Sequence, residues 1–150
     1  MIAVDTNILV YAHRQDSMHH AAARDCLLDL AQGARAWAIP WPCVSEFFSI
    51  VTHPRIYRPP SSTKAAIDQI DAWLESPTLN LLAEPADQWA TLRALLLRGR
   101  VAGPLVHDAR IAALCMRHGV SELLSADRDF SRFAGLVVRN PFPSSPAIRP

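Results

Sequence analysis

Five acidic residues lie at the edges of apolar runs, where folding can bring carboxylates together. They are Asp5, Glu46, Asp108, Asp127 and Asp129, in the segments I-A-V-D-T-N, V-S-E-F-F, L-V-H-D-A-R-I-A-A and L-L-S-A-D-R-D-F. Converging carboxylates repel one another and raise each other's pKa unless a cation neutralises them. Hard divalent cations such as Mg²⁺ and Mn²⁺ prefer sites built from oxygen ligands. The pattern therefore predicts a magnesium site suited to chemistry on phosphate groups.

Alternating strands and helices must position these carboxylates. Short apolar runs predict strands over 1–4, 36–39, 79–82, 122–125 and 136–138. Helical spacing of apolar residues predicts helices over 17–30, from Pro42 through 51, over 64–74, from Pro85 to about 98, and over 105–117. This alternation predicts an α/β fold with a mainly parallel sheet covered by helices on both faces. Ligands bind at the carboxyl ends of such strands, where Asp5 and Asp127 are expected.

Each acidic residue also has a purely structural interpretation. Asp5 starts an Asp-Thr-Asn segment that suits a turn, and Asp127 fits a polar turn before a short helix at Phe130. Glu46 is one turn into a predicted helix, and taken on its own this position favours solvent exposure. Asp108 opens a helix, where a carboxylate caps exposed N–H groups. Their joint placement, rather than any single residue, favours a site.

The motifs together resemble a known family. The N-terminal V-D-T-N-I-L-V, the S-E-F-F segment, the H-D-A-R-I-A-A helix start and the late S-A-D-R-D-F occur in the order found in PIN domains. Within that family the chain resembles VapC-type toxin ribonucleases of bacterial toxin–antitoxin pairs. The resemblance implies a Rossmann-like α/β/α fold and RNA cleavage with Mg²⁺ or Mn²⁺. It covers residues 1–140, predicted as the nuclease domain, and leaves 141–150 as a proline-rich tail without an assigned role.

The resemblance also assigns roles to the acidic residues. It makes Asp5, Glu46, Asp108 and Asp127 the acidic quartet, with Asp5 and Asp108 as the most direct metal ligands. Ser125 stands where family members often have Thr, a change that keeps the hydroxyl group. The resemblance further implies a homodimer and an antitoxin partner of the VapB type, whose C-terminal segment would cover the acidic pocket and insert an Arg among the carboxylates.

The residues themselves suggest supporting and substrate-binding groups. Thr6 and Asn7 can hydrogen-bond Asp5 or a metal-bound water, and Asp129 is a weaker outer candidate. Arg110 is the best single candidate to contact a substrate phosphate, because it follows Asp108 closely on one helix. The four tryptophans are scattered and are expected to pack in the core or an interface rather than to stack on bases. They are Trp37, Trp41, Trp73 and Trp89.

The predicted chemistry is hydrolysis of a phosphodiester bond. Asp5 and Asp108 are predicted to hold the first metal, and Glu46 and Asp127 to bind a second ion or orient the attacking water. The same site would also cut DNA or a structured flap, and the residues do not separate these substrates from RNA. A non-catalytic, receiver-like α/β module is a further alternative. A receiver would need a lysine near its phosphate, and the sole lysine, Lys64, falls in a predicted peripheral helix.

Composition sets the broad class. The chain has 150 residues, a net charge of +1 and half of its residues hydrophobic, which favours one compact domain. Near-neutral charge argues against a protein that coats nucleic acid by charge alone. Its three isolated cysteines are expected to be reduced. Neither a signal peptide nor a membrane span is predicted, so we expect a cytoplasmic protein.

Overall fold

The computed structural model describes residues 1–142. A five-stranded parallel sheet forms the centre, in the order β3-β2-β1-β4-β5. The strands are β1 (Ile2–Val4), β2 (Trp37–Pro40), β3 (Leu79–Leu82), β4 (Glu122–Leu124) and β5 (Val138–Arg139). The helices are α1 (Thr6–His13), α2 (His20–Gln32), α3 (Trp41–Val51), α4 (Thr63–Leu74), α5 (Gln88–Arg98) and α6 (Val106–Arg117). Two 3₁₀ turns, Gly103–Leu105 and Arg128–Arg132, precede α6 and β5.

The helices form two layers around the sheet. On one side α1 packs against α2 and α3, and α3 packs against α4; α5 and α6 pack against each other. This arrangement is the predicted three-layer α/β/α architecture, and the expected parallel sheet is confirmed. Within residues 1–142, none of the helices combines the length and apolar character needed to cross a membrane.

The order of the strands places a switch point beside β1. The chain moves from β1 through β2 to β3 in one direction and then returns to place β4 on the other side of β1. At such a point the loops after two neighbouring strands diverge and leave a crevice at the carboxyl ends. Asp5 follows β1 directly, and Ser125 follows β4 directly.

Helix α1 is the element that the sequence analysis missed. Asp5 ends β1 and also caps α1, since its side chain accepts a hydrogen bond from the Thr6 N–H. The strand therefore passes into the helix without a loop that would mark the boundary. Ile8 and Leu9 are both fully buried, so tertiary packing outweighs the low helix propensity of a segment rich in β-branched residues.

Other elements match the predictions with shifted ends. Strand β5 begins at Val138 rather than at 136, and α5 begins at Gln88 rather than at Pro85. Phe142 is buried, and its ring stacks on His19 with centroids 4.4 Å apart. The remainder of the predicted proline-rich tail, 143–150, lies outside the described residues.

Trp37 gives the sheet its largest buried side chain, so its removal tests the core. The ring is fully buried on β2, and its Nε1–H donates to Ser76 Oγ at 3.1 Å. We expect Trp37→Ala to lower the free energy of unfolding by roughly 3–5 kcal/mol, because a large cavity remains. Urea unfolding measures this change. Trp89→Ala is the matched control, because Trp89 is 62% exposed on α5, and it should change stability by only ~0.5 kcal/mol.

Candidate active site

Asp5 lies at the base of the site and is held by three N–H and O–H donors, besides a weaker contact from the Cys43 thiol. The Thr6 N–H donates to Asp5 Oδ1 at 2.8 Å. Asn7 Nδ2 and Ser125 Oγ both donate to Asp5 Oδ2, each at 2.7 Å. The carboxylate is 5% exposed, so these donors replace the water that burial removes.

Ser125 and Asn7 extend this network into the loop after β4. Ser125 Oγ also accepts from Asn7 Nδ2 and from the Asp127 N–H, both at 3.0 Å. Asn7 Oδ1 accepts from the Ala126 N–H at 3.1 Å. These bonds fix the loop that carries Asp127 relative to the first turn of α1. Three of the predicted supporting residues therefore lie together: Thr6, Asn7 and Ser125.

Glu46 reaches the same pocket from α3. That helix begins directly after β2, and Pro42 sits in its first turn, where a missing N–H costs nothing. Thr6 Oγ1 donates to Glu46 Oε2 at 2.6 Å. Thr6 therefore orients two carboxylates, Asp5 through its backbone N–H and Glu46 through its hydroxyl.

Three further carboxylates converge at the mouth of the pocket. Asp108 lies in the first turn of α6, and Asp127 caps the 3₁₀ turn that contains Asp129. One carboxylate oxygen from each of Asp108, Asp127 and Asp129 lies within 4.8 Å of the others. Asp127 Oδ1 also accepts from the Asp129 N–H at 2.8 Å. The structure thus brings Asp129, ranked last by the sequence, beside Asp108 and Asp127.

The acidic pocket is a cleft of about 290 Å³ that contains all four predicted quartet members. Its lining also includes apolar and aromatic side chains that the sequence analysis did not single out: Val10, Tyr11, Ile50 and Tyr57. Tyr11 is one helical turn after Asn7 on α1, so helical spacing could have indicated it once α1 was recognised. Tyr57 comes from the loop between α3 and α4, whose path is not encoded by any local pattern.

Two carboxyl groups in the pocket hold protons unusually tightly. Burial raises the pKa of Asp5 to about 6, against the opposing effect of the Ser125 and Thr6 hydrogen bonds, and Asp108 and Glu46 raise it further. Burial also raises the pKa of Asp108 to about 6, assisted by the charges of Asp127, Asp129 and Glu46. Clustered carboxylates with raised pKa values are what a divalent cation would neutralise. The all-oxygen donor set fits Mg²⁺ or Mn²⁺.

Arg110 lies on α6 but lines a neighbouring groove rather than the acidic pocket. Its Nε and Nη2 donate to the two carboxylate oxygens of Glu84. It borders a neighbouring groove lined by α3 and α4. Lys64, the residue on which a receiver-like module would depend, pairs with Asp68 on the exposed side of α4. This position disfavours the receiver alternative.

A PIN domain family model matches residues 2–136. The chain belongs to the PIN domain family. The resemblance stated from the sequence motifs is confirmed.

Several related proteins agree with this membership. Ribonuclease VapC43 of Mycobacterium tuberculosis is 35% identical over 141 residues, which cover 94% of this chain and 95% of the relative. Two solved structures share the fold. The M. tuberculosis VapC20 structure, described as a Sarcin-Ricin loop cleaving toxin, gives a TM-score of 0.68 at 19% identity, with 91% of this chain and 97% of that chain covered. The VapBC2 structure from Rickettsia felis, described as bound to a DNA fragment from their promoter, gives a TM-score of 0.67 at 23% identity. The match covers 93% of this chain and 98% of that chain.

The Ser125 hydroxyl should support both stability and the position of Asp5. We expect Ser125→Ala to lower the free energy of unfolding by roughly 1–3 kcal/mol, because part-buried donors on Asn7 and Asp127 lose an acceptor and the buried Asp5 loses a charge-assisted hydrogen bond. Urea unfolding measures this loss. Ser49→Ala, at an exposed position on α3, is the control and should be near neutral. An equal effect of both changes would contradict the role given to Ser125.

The raised pKa of Asp5 predicts how the metal-free protein responds to pH. Since the folded state binds this proton more tightly than the unfolded chain, protonation of Asp5 stabilises the fold. The stabilisation is fully present below the ordinary pKa of 3.8 and is lost as pH rises through about 6. For Asp5 the loss is on the order of 3 kcal/mol. Asp5→Asn should remove the Asp5 share of this pH dependence and leave that of Asp108, whose pKa is also raised to about 6, as measured by urea unfolding in EDTA.

The same experiment has a metal arm and a control. Mn²⁺ added near neutral pH should restore stability to the wild type, because a bound cation neutralises the buried charge. It should do much less for Asp5→Asn. Asp25→Asn, an exposed carboxylate on α2, should keep the wild-type pH profile. A wild type and an Asp5→Asn variant with identical profiles would refute the assignment.

Proposed function

We propose that this chain is a Mg²⁺-dependent endoribonuclease toxin of the VapC type, which hydrolyses RNA phosphodiester bonds and is neutralised by a VapB-type antitoxin. The observation that carries the proposal is the acidic pocket at the switch point of the sheet, in a chain 35% identical to a relative named ribonuclease VapC43. PIN nucleases of this class act on phosphodiester bonds.

Asp5 and Asp108 would hold the first Mg²⁺, with Mn²⁺ as an alternative. Asp5 is kept in place by Thr6, Asn7 and Ser125, so its oxygens need little reorganisation on binding. Asp127 would complete the ligand set at the mouth of the pocket, and the closeness of Asp129 supports an outer-shell contribution from that residue. The bound cation would supply an activated water near neutral pH and charge relief on the scissile phosphate.

The remaining residues would position the substrate and the water. Glu46, oriented by Thr6 Oγ1, can accept a hydrogen bond from the attacking water. Tyr11 and Tyr57 give the pocket one wall that excludes solvent from the reacting phosphate. Arg110 would contact the RNA strand beside the site after exchanging its exposed pairing with Glu84, which costs little because exposed ion pairs are weak.

The partners and organisation follow from the same proposal. Solved neighbours include VapBC assemblies, which supports a VapB-type antitoxin whose C-terminal segment covers the acidic pocket and inserts an Arg among the carboxylates. We further propose a homodimer that acts in the cytoplasm, where its three free cysteines would stay reduced. Residues 1–140 would form the nuclease domain, with 141–150 as an appended tail.

Cleavage assays test the activity and its substrate class. Wild-type protein with Mg²⁺ should cut RNA and leave single-stranded DNA and flap substrates intact, and EDTA should abolish cleavage. Asp5→Asn and Asp108→Asn should each lower the cleavage rate by at least ~10²-fold, because each change removes a metal-binding charge. Asp25→Asn, far from the pocket on α2, should retain wild-type activity.

Circular dichroism must show that both site variants fold. Unchanged RNA cleavage by folded Asp5→Asn or Asp108→Asn would refute the metal-ligand assignment. Cleavage of DNA or flaps in place of RNA would replace the proposed substrate class.

A further inference from the structure

An open groove borders the acidic pocket on the far side of α3. We call it the aromatic groove. It has a volume of about 430 Å³ and is lined by Trp41, Pro42, Val44, Ser45, Phe48, Ile70 and Arg110. A concave site of this size, mostly apolar with a few polar groups, is typical of sites that bind a small ligand.

Trp41 is the unusual member of this groove. Trp37 is fully buried and Trp73 is 8% exposed, as expected for core tryptophans, whereas Trp41 is 48% exposed. Trp41 begins α3 between Pro40 and the buried Pro42, so its backbone is held by two restricted neighbours. A large ring on a rigid backbone that leaves half of its surface in water is well suited to stack on another ring.

Arg110 supplies the polar group of the groove. Its guanidinium is held by Glu84, and the two side chains are 43% and 38% exposed. Such an exposed pair is weak, so its donors can turn to acceptors on a ligand. A guanidinium presents several N–H donors in one plane, which match the acceptor atoms on the edge of a nucleobase.

The aromatic groove and the acidic pocket share two helices. On α3, Trp41, Ser45 and Phe48 recur at helical spacing and face the groove, whereas Glu46 and Ile50 face the pocket. On α6, Arg110 lines the groove and Asp108 lines the pocket, two residues apart. The two clefts are therefore neighbours that share the same two helices.

We propose that the aromatic groove binds an unpaired base of single-stranded RNA next to the scissile phosphate, with Trp41 stacking on the ring and Arg110 donating to its edge. This inference rests on the proposed ribonuclease function and adds a recognition site to it. It assigns substrate binding to Trp41, a residue that the sequence analysis expected to pack in the core or an interface. Duplex RNA would be excluded, because a paired base cannot leave its stack to enter the groove without an energetic cost.

The combination of groups favours a base over other occupants. A peptide or a second copy of the chain could pack against the apolar walls. Neither would need the planar guanidinium of Arg110 together with the exposed ring of Trp41. An isolated phosphate would satisfy Arg110, yet it would leave Trp41 in water. A nucleobase uses both features, since every base has a face for stacking and acceptors on its edge.

Binding measurements on an inactive background test the proposal without relying on cleavage. The probe is a fluorescein-labelled single-stranded RNA of mixed sequence, followed by fluorescence anisotropy with Asp108→Asn protein. Adding Trp41→Ala should weaken binding roughly 5- to 150-fold, the range for loss of one base–aromatic stack. Trp41→Phe should retain most of the affinity. The control Trp89→Ala removes a still more exposed tryptophan, on α5, and should change affinity by less than about twofold.

Abasic substitution identifies the base. A set of strands is made in which each strand lacks one base. With Trp41 present, one of these strands should bind more weakly than the complete strand. With Trp41→Ala, that strand and the complete strand should bind equally. Uniform loss across all strands, or no loss in Trp41→Ala, would overturn the inference. A change in oligomeric mass of Trp41→Ala by light scattering would instead identify the groove as a contact between copies, and would also overturn it. The ribonuclease proposal fails separately, if wild-type protein with Mg²⁺ leaves RNA intact.

Discussion

The buried carboxylate of Asp5 is the constraint on which the rest of the site depends. Desolvation of a carboxylate is costly, and the cost is offset by donors from two parts of the chain: Thr6 and Asn7 on α1, and Ser125 after β4. β1 and β4 are neighbours in the sheet, so their carboxyl ends meet at this charge. The same residue ends β1, caps α1 and fixes the loop that carries Asp127. The hydrogen bonds that position Asp5 in the site are therefore the same bonds that hold this part of the fold together.

This arrangement leaves the metal-free pocket electrostatically unfavourable. Two carboxyl groups, Asp5 and Asp108, have pKa values raised to about 6, and in both cases the largest cause is burial and like charges add to it. Replacing these acids with neutral groups would stabilise a fold that had no use for a cation. Keeping these acids lowers the stability of the metal-free fold near neutral pH and raises the affinity of the pocket for positive charge.

Much of the fold and most of the site were predictable because their residues carry local patterns. Buried strands appear as short apolar runs, and Asp108 stands at a recognisable helix start. Helix α1 was not predictable in this way, because Asp5 joins strand to helix with no intervening turn residues. The place of Asp129 beside Asp108 depends on the tertiary path of a 3₁₀ turn, and that of Tyr57 on a long loop. Such positions follow from packing rather than from periodicity.

Helices α3 and α6 each line both the acidic pocket and the aromatic groove. Helix α3 begins directly after β2, whereas α6 follows the 3₁₀ turn Gly103–Leu105, and each helix contributes residues to both clefts. Glu46 and Asp108 bring negative charge to one cleft, whereas Trp41 and Arg110 bring a ring and a cation to the other. Because the helices are packed against the core through Phe47 and Ala109, both fully buried, the spacing between the two clefts is rigid. A substitution in the groove should therefore leave the carboxylates in place, so the proposed base site and the acidic pocket can be tested separately.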